Sequence, residues 1–266
     1  MDFNEIYQIK DETEQIQKIY ELINEDIRLT RSKAARVEFL TNVRYIEKYL
    51  KSGDKILDLG AGAGEYSLYF AKQGYHVSAV ELTDANVAAF RKKITDETPV
   101  DLVQGTALDL SRYPDGFFDV VLLFGPLYHL HRIADRLQCI SEAKRVCKKS
   151  GTIFFAFISN DPVIMTEFSY RPDYFTAGDY DKETFQVEDF PFVFHTVDEC
   201  RGLLADGGVR ILHEVASDGL SELMEDKINT LDDAGYAQYL RYHEYLCEKP
   251  ECLGWSNHLL FVGTAE

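Results

Sequence analysis

"ILDLGAGAGEYS", residues 56–67, runs from an apolar stretch into three glycines at alternate positions, Gly60, Gly62 and Gly64. Glycine loses more freedom on folding than any other residue, so this density marks a loop whose backbone needs it. Between a strand and a helix, such a loop lets a ligand lie against bare backbone and the helix N-terminus. Dinucleotide folds use the spacing GxGxxG, with an acid about 20 residues further on for a ribose. In this chain the spacing is GxGxG, and Glu65 stands where the third glycine would be. A glutamate there would meet a pyrophosphate unfavourably, and Asp58 adds a second negative charge just before the loop. That acidic rim suits a ligand that is cationic at this end. Glu81 closes the next apolar run, and its two oxygens can accept from a ribose 2′,3′-diol. The alternative for Glu81 is a solvated strand end.

The surrounding pattern says what kind of sheet holds this loop. "KILDLG", "HVSAVEL", "VDLVQG", "FDVVLLFG" and "TIFFAFIS" read as strands, separated by "EYSLYFAKQG", "DANVAAFRKKI" and "IADRLQCISEAKRVCKKSG" as helices. The last of these is expected to stop at Gly151. Nearly continuous apolar strands alternating with helices specify a parallel sheet covered on both faces. Two amphipathic helices precede it, carried by Ile16, Ile19, Tyr20, Ile23 and Ile27 and by Val37, Leu40, Val43, Ile46 and Leu50. Beyond it, "TVDECRGLLADGG" is a helix with Thr196 and Glu199 spaced as a capping box. "VRILHEVAS" and "NHLLFVGTA" add a sixth and a seventh strand, and Leu220 to Glu248 reads as helical.

With 266 residues, 45% hydrophobic and 13% aromatic, the chain can bury a full core. A formal net charge of -17 works against phosphate-bearing partners, so no nucleic acid is expected. The five cysteines form no CxxC pair and read as free thiols of a reducing compartment. "MDFNEIYQIKDETEQ" lacks a leader pattern and "IFFAFI" is too short to span a bilayer, so a cytoplasmic protein without a membrane span is expected. The oligomeric state is left open.

Taken together, these residues resemble the class I S-adenosylmethionine-dependent methyltransferase family, in its bacterial small-molecule type. "ILDLGAGAGEYS" looks like the family's first motif, "VSAVEL" its second, "VQGTALDLS" its third and "FFDVVLLFGPLYHL" its fourth. "EAKRVCKKSGTIFFAFI" is similar to the post-core helix and strand. The resemblance covers residues 50–159 closely, and five motifs in order are far more specific than any one. It implies an α/β, Rossmann-like, seven-stranded and mostly parallel sheet in the order 3-2-1-4-5-7-6. Helices lie on both faces, the last strand is antiparallel, and a helical cap precedes the sheet. Residues 1–266 then form a single methyltransferase domain, with N-terminal helices at 1–50 and a cofactor-binding core at 51–159. Insertions at 160–195 and 218–255 would form a lid over the acceptor site.

The resemblance also implies roles toward S-adenosylmethionine. Asp58 would face the methionine ammonium through water, and the backbone of Gly60, Ala61, Gly62 and Gly64 would lie against the methionyl and ribose part. Glu81 would bind the ribose hydroxyls and Leu82 the adenine. Thr106 stands where many relatives place an acidic or amide residue toward the adenine amino group, leaving the backbone of Ala107 and Leu108 for the ring. Asp109 either substitutes there or caps the turn into Ser111. Phe124 and Gly125 would end under the sulfonium.

The expected activity is methyl transfer to a small-molecule acceptor, by in-line displacement. Alternatives are a methyltransferase of a protein or a quinone-type lipid, a cofactor-binding protein of this fold without catalysis, and, disfavoured by the glycine spacing, a nicotinamide oxidoreductase. Tyr128 and His129 follow the fourth strand, where His129 would act as base or orient the acceptor. Equally, His129 can satisfy backbone at a turn while Tyr128 packs. His129 and His131 point to different sides of a helix, so no metal is expected. Tyr7 and Asp26 would approach the cofactor, and Arg28 reads as an anchor for an acceptor carboxylate or as a surface ion pair. Tyr170 and Tyr174 belong to an aromatic-rich segment that is either a lid over the acceptor or the packing of an insertion. Trp255, His243 and His258 are unranked candidates.

Overall fold

The apolar run before the glycines becomes the middle of a sheet. The computed structural model describes residues 3–23, 25–188 and 190–265. In it β1 (Lys55–Leu59) lies parallel between β2 (His76–Glu81) and β4 (Phe118–Leu123). With β3 (Val100–Gln104), β5 (Cys147–Ser159), β6 (Phe194–His195), β7 (Val209–Ala216) and β8 (His258–Ala265), the order is β3-β2-β1-β4-β5-β8-β7. The two-residue β6 stands off this path and pairs in parallel with Ile158 and Ser159 of β5. Leaving β6 aside, the order is the one the resemblance implies, with β8 antiparallel to both neighbours. Among the described residues the sheet therefore has eight strands, not seven, because the end of the 160–195 segment is drawn to the end of β5.

The hydrophobic runs explain the centre. Ile56, Leu57, Val121, Leu122, Ile153, Phe154, Phe155 and Phe157 are fully buried, each worth about 2 kcal/mol of transfer free energy. Helices Glu65–Lys72, Ile133–Val146 and Val197–Asp206 pack on β2, β5 and β7. The capping box is formed: Glu199 N donates to Thr196 Oγ1, and Glu199 accepts from Thr196 N. All five cysteines are free, and four are buried.

Two expected boundaries move. The helix from Ile133 ends at Val146, and Cys147 already pairs with Phe118. Gly151 is not a helix stop but lies in β5, at a register shift where a Cβ would sit 2.7 Å from the Asp119 carbonyl oxygen. Ladder pairing outweighs the helical periodicity of "CKKSG". Likewise Leu220 to Glu248 is not one helix. It splits into Glu225–Ile228 and Asp233–Leu246, the second capped by Asp232, which accepts from Gly235 N at 2.7 Å.

The N-terminal helices cross the carboxyl end of the sheet. Helix Glu12–Leu22 is tied down by Gln17, which donates to the Leu82 carbonyl at 3.1 Å and accepts from Asp84 N at 2.9 Å. Helix Arg36–Glu47 follows.

Gly64 opens the helix behind the loop with φ +88°, and a Cβ there would fall 2.2 Å from the Phe90 ring. Gly64→Ala is expected to cost about 2–4 kcal/mol from left-handed strain and overpacking, read by denaturant unfolding. An unchanged midpoint would refute this account of the loop.

Candidate active site

Where the chain leaves β1, it must turn between two parallel neighbours running in the same direction. Gly60, Gly62 and Gly64 all take positive φ, at +74°, +53° and +88°. Gly60 N and Ala61 N donate to the Val80 carbonyl at 2.9 and 3.2 Å, which curls the loop over β2. A Cβ on Gly60 would lie 2.7 Å from the Phe124 carbonyl oxygen, so only glycine lets the β1 and β4 ends approach this closely.

Two buried carboxylates stand under the loop. Glu81 Oε2 accepts from Gly62 N at 2.9 Å, while Oε1 takes Thr83 N, Thr83 Oγ1 and Asn86 Nδ2. Oε1 is thus filled, and Oε2 alone keeps room for a ligand hydroxyl, rather than both oxygens matching a diol. Asp58 Oδ2 accepts from Ser67 Oγ at 2.6 Å, whereas Oδ1 is buried with no partner. Burial pushes the Asp58 carboxyl up to about 7, with Ser67 pulling the other way and Glu81 adding to the rise.

These groups open into a cleft of about 1140 Å³, its open mouth included. Of the residues expected on the cofactor side, Asp58, Gly60, Ala61, Gly62, Glu81, Leu82, Thr106, Ala107, Leu108, Phe124 and Gly125 line it. Gly64 and Asp109 do not. Gly64 packs on Phe90, and Asp109 caps the turn by accepting from Ser111 N at 2.9 Å. Thr106 turns its hydroxyl to Leu108 N at 3.2 Å, so one of the two amides expected at the adenine edge is already bound.

Tyr128 and His129 both line the cleft, in different states. The Tyr128 hydroxyl has no hydrogen-bond partner among the described residues and lies 3.8 Å from where a Gly125 Cβ would be. Burial raises its pKa, with Arg28 opposing. His129 is buried with Nε2 2.8 Å from the Tyr20 hydroxyl. Burial, with help from His131, holds its imidazole down at about 3, so it is neutral at physiological pH.

The opposite wall comes from the N-terminal helices and β8. Arg28 is no free anchor: Nε donates to Glu25 Oε1 at 2.8 Å and Nη1 to Glu38 Oε2 at 2.6 Å. Glu38 lies 3.6 Å from His258 Nδ1, which is 2.6 Å from Asp218 Oδ2. Burial opposes charging His258, but Glu38 and Asp218 outweigh it and lift its pKa to about 9. The donor atoms of Glu38, Asp218 and His258 lie within 4.8 Å of one another, yet Arg28 and the ring proton already supply positive charge between them.

Tyr7, Tyr170 and Tyr174 are not brought to the cleft. Tyr7 is exposed against Phe190, Tyr170 is exposed, and Tyr174 is buried with Ile164, Tyr180 and Val187 in a separate small core. Among the described residues, none of 160–195 lines the cleft. That segment instead braces the turn, with Val193 N donating to the Tyr128 carbonyl and Phe192 against the His129 ring. Asp26 lines the rim and pairs with Lys93. Sequence reasoning missed Tyr20, Glu25, Glu38, Tyr66 and Asp218. Tyr20 and Glu38 lie on the amphipathic N-terminal helices, but periodicity does not say which polar side chains a helix turns inward.

An open α/β sheet with a glycine loop at its central switch point and an acid closing β2 defines a Rossmann-like, nucleoside-cofactor class of protein. Residues 57–155 match the family model described as a methyltransferase domain. A demethylmenaquinone methyltransferase of Clavibacter sepedonicus is 30% identical over 119 residues, 45% of this chain and 47% of that protein. A ubiquinone biosynthesis O-methyltransferase of Azotobacter vinelandii is 31% identical over 122 residues, 45% of this chain and 51% of that protein. The chain thus spans about half the length of the curated relatives it matches. The solved PH0226 protein of Pyrococcus horikoshii OT3 shares the fold, with a TM-score of 0.60 at 19% identity over 94% of this chain and 99% of that one. Residues 57–155, which carry the glycine loop, thus form a methyltransferase domain of the class I S-adenosylmethionine-dependent kind.

Asp58 sets a pH test. Below about 7 it is protonated and neutral; above, its carboxylate can pair with an ammonium. Affinity for S-adenosylhomocysteine is therefore expected to rise about tenfold from pH 6 to pH 8, by calorimetry. Asp58→Asn should remove that slope, and a slope that persists would take Asp58 out of the site.

Proposed function

We propose that this chain binds S-adenosylmethionine in the cleft and transfers its methyl group to a small-molecule acceptor. The observation that carries the reading is the loop itself. Gly60, Ala61 and Gly62 turn bare or nearly bare backbone to the cleft, beside a buried Asp58 oxygen that lacks a partner. Such an oxygen fits an ammonium, and the free side of Glu81 Oε2 fits a ribose hydroxyl. When bound, the cofactor supplies an electrophilic methyl on a sulfonium, whose bonding electrons stay on sulfur as the acceptor's lone pair takes the carbon.

The chain's own residues bind, orient and exclude water. Gly60, Ala61 and Gly62 present backbone to the methionyl and ribose part, and Leu82 packs on the adenine. Phe124 and Gly125 close the floor. Tyr128 offers its free hydroxyl close to Gly125, while neutral His129, held by Tyr20, supports the turn. The N-terminal segment at 16–38 covers the acceptor side, so that the acceptor is held where effective molarities of ~10⁵ M become attainable. The net charge of -17 disfavours nucleic-acid acceptors. The matched relatives are named for small-molecule methylation, which supports the same reading. Among the described residues no helix is long and apolar enough to cross a membrane; the five free cysteines support a reducing, cytoplasmic setting.

Calorimetry should show micromolar-range binding of S-adenosylmethionine and S-adenosylhomocysteine, and none of NAD. Glu81→Ala should weaken both by about ten- to a hundredfold, since it removes charge-assisted bonds to ribose and to Gly62 N. Tight NAD binding, or full affinity in the variant, would overturn the assignment.

A further inference from the structure

We propose that His258 is the acceptor-binding residue of this cleft, and that it receives an acidic oxygen, carboxylate or phenolate, of the small molecule to be methylated. The proposal rests on the methyl-transfer reading above and names the chemistry of its second substrate.

His258 opens β8 opposite Ile158, at the carboxyl end of β5, and lines the same cleft as Gly60 and Gly125. It also lines a second cavity, with Arg31, Ser221 and Glu222, so the two spaces meet at Arg28, Glu38 and His258. The ring is held from one side only. Nδ1 bonds to Asp218, whose Oδ1 in turn accepts from Ser256 Oγ at 2.6 Å and His258 N at 3.1 Å. Nε2 has no partner among the described residues.

Every carboxylate near the ring is already met by donors. Glu38 accepts from Arg28, and Asp218 accepts from Ser256 and from His258 itself. The open valence of the network is therefore a donor, and a donor calls for an acceptor atom. The facing charges are Arg28 and Glu38 from the N-terminal helices, Asp218 from the loop after β7, and Arg31, Glu222 and Glu225 across the second cavity. Arg28 is taken up by Glu25 and Glu38, and Asp218 by the Nδ1 side of the ring, so the anion's partners are the free Nε2 side of His258 and the sulfonium. Because the ring stays charged up to about pH 9, it takes no proton from a neutral alcohol. The oxygen must arrive ionised. Ile16, Leu29, Tyr66 and Ala156 line the same cleft and offer an apolar surface to the rest of the molecule.

The test uses protein saturated with S-adenosylhomocysteine. Benzoate is compared with benzamide, and 4-nitrophenolate with nitrobenzene, by calorimetry and by ¹⁵N NMR of the histidine ring. At neutral pH at least one anion is expected to bind about tenfold or more tightly than its uncharged partner, and to raise the His258 titration point. The arm that responds tells carboxylate from phenolate. Anion affinity should fall as pH rises through about 9, where the imidazolium loses its proton. His258→Gln should lose the anion preference while keeping S-adenosylhomocysteine affinity, which shows that the variant is folded. Anions binding no better than their neutral partners, an unmoved ring titration, or an unchanged variant would each overturn the proposal. So would zinc that binds the Glu38, Asp218 and His258 group and displaces the ring proton. If S-adenosylhomocysteine itself fails to bind, the parent reading falls instead.

Discussion

One hydrogen bond, from Gly62 N to Glu81 Oε2, joins the end of β2 to the loop after β1, and the site is arranged around it. A charged acceptor buried this deeply would be costly without donors. Glu81 finds them in Gly62, Thr83 and Asn86, so the same carboxylate shapes the loop and starts the helix beyond Thr83. The loop can meet it only with left-handed backbone, and that is why the glycines are spaced as they are. Asp58 is the contrasting case. Ser67 satisfies one of its oxygens and nothing satisfies the other, which leaves a local deficit suited to a cation.

The N-terminal segment supplies the other half of the site through a different kind of constraint. It is held over the strand ends by hydrogen bonds and ion pairs, through Gln17 with Leu82 and Asp84, Tyr20 with His129, and Asp26 with Lys93. A Cβ on Gly62 would reach Glu25 Cγ at 3.2 Å, so the cap presses directly on the glycine loop. Polar attachments of this kind exchange with water more readily than a packed core.

Much of the cofactor side was legible because local backbone chemistry writes it. Glycines that need positive φ, an acid at a strand end and apolar runs of strand length are visible one segment at a time. The acceptor side was not. Aromatic density drew attention to 160–195, but Tyr174 and Tyr180 pack with Ile164 and Val187, and the segment supports the Tyr128 turn from outside. His129 has the place of a reactive imidazole after β4, yet burial and His131 hold it neutral and Tyr20 occupies its Nε2. His258 had no motif around it. Its environment is assembled from Glu38, Asp218 and Ser256, and only folding brings these together.

The strands of the sheet, their order under the family resemblance, the glycine loop and the carboxylates Asp58 and Glu81 are written in the chain itself. Those features depend on residue type and on spacing along one stretch of chain. Where β5 begins, which wall faces the cofactor loop and which histidine carries charge follow from the assembled fold alone. Each depends on long-range contacts: a ladder partner for Cys147, a helix laid across the strand ends, and two carboxylates set against one imidazole. A histidine's protonation follows from burial and neighbouring charge, and neither can be read from the residues beside it in the chain.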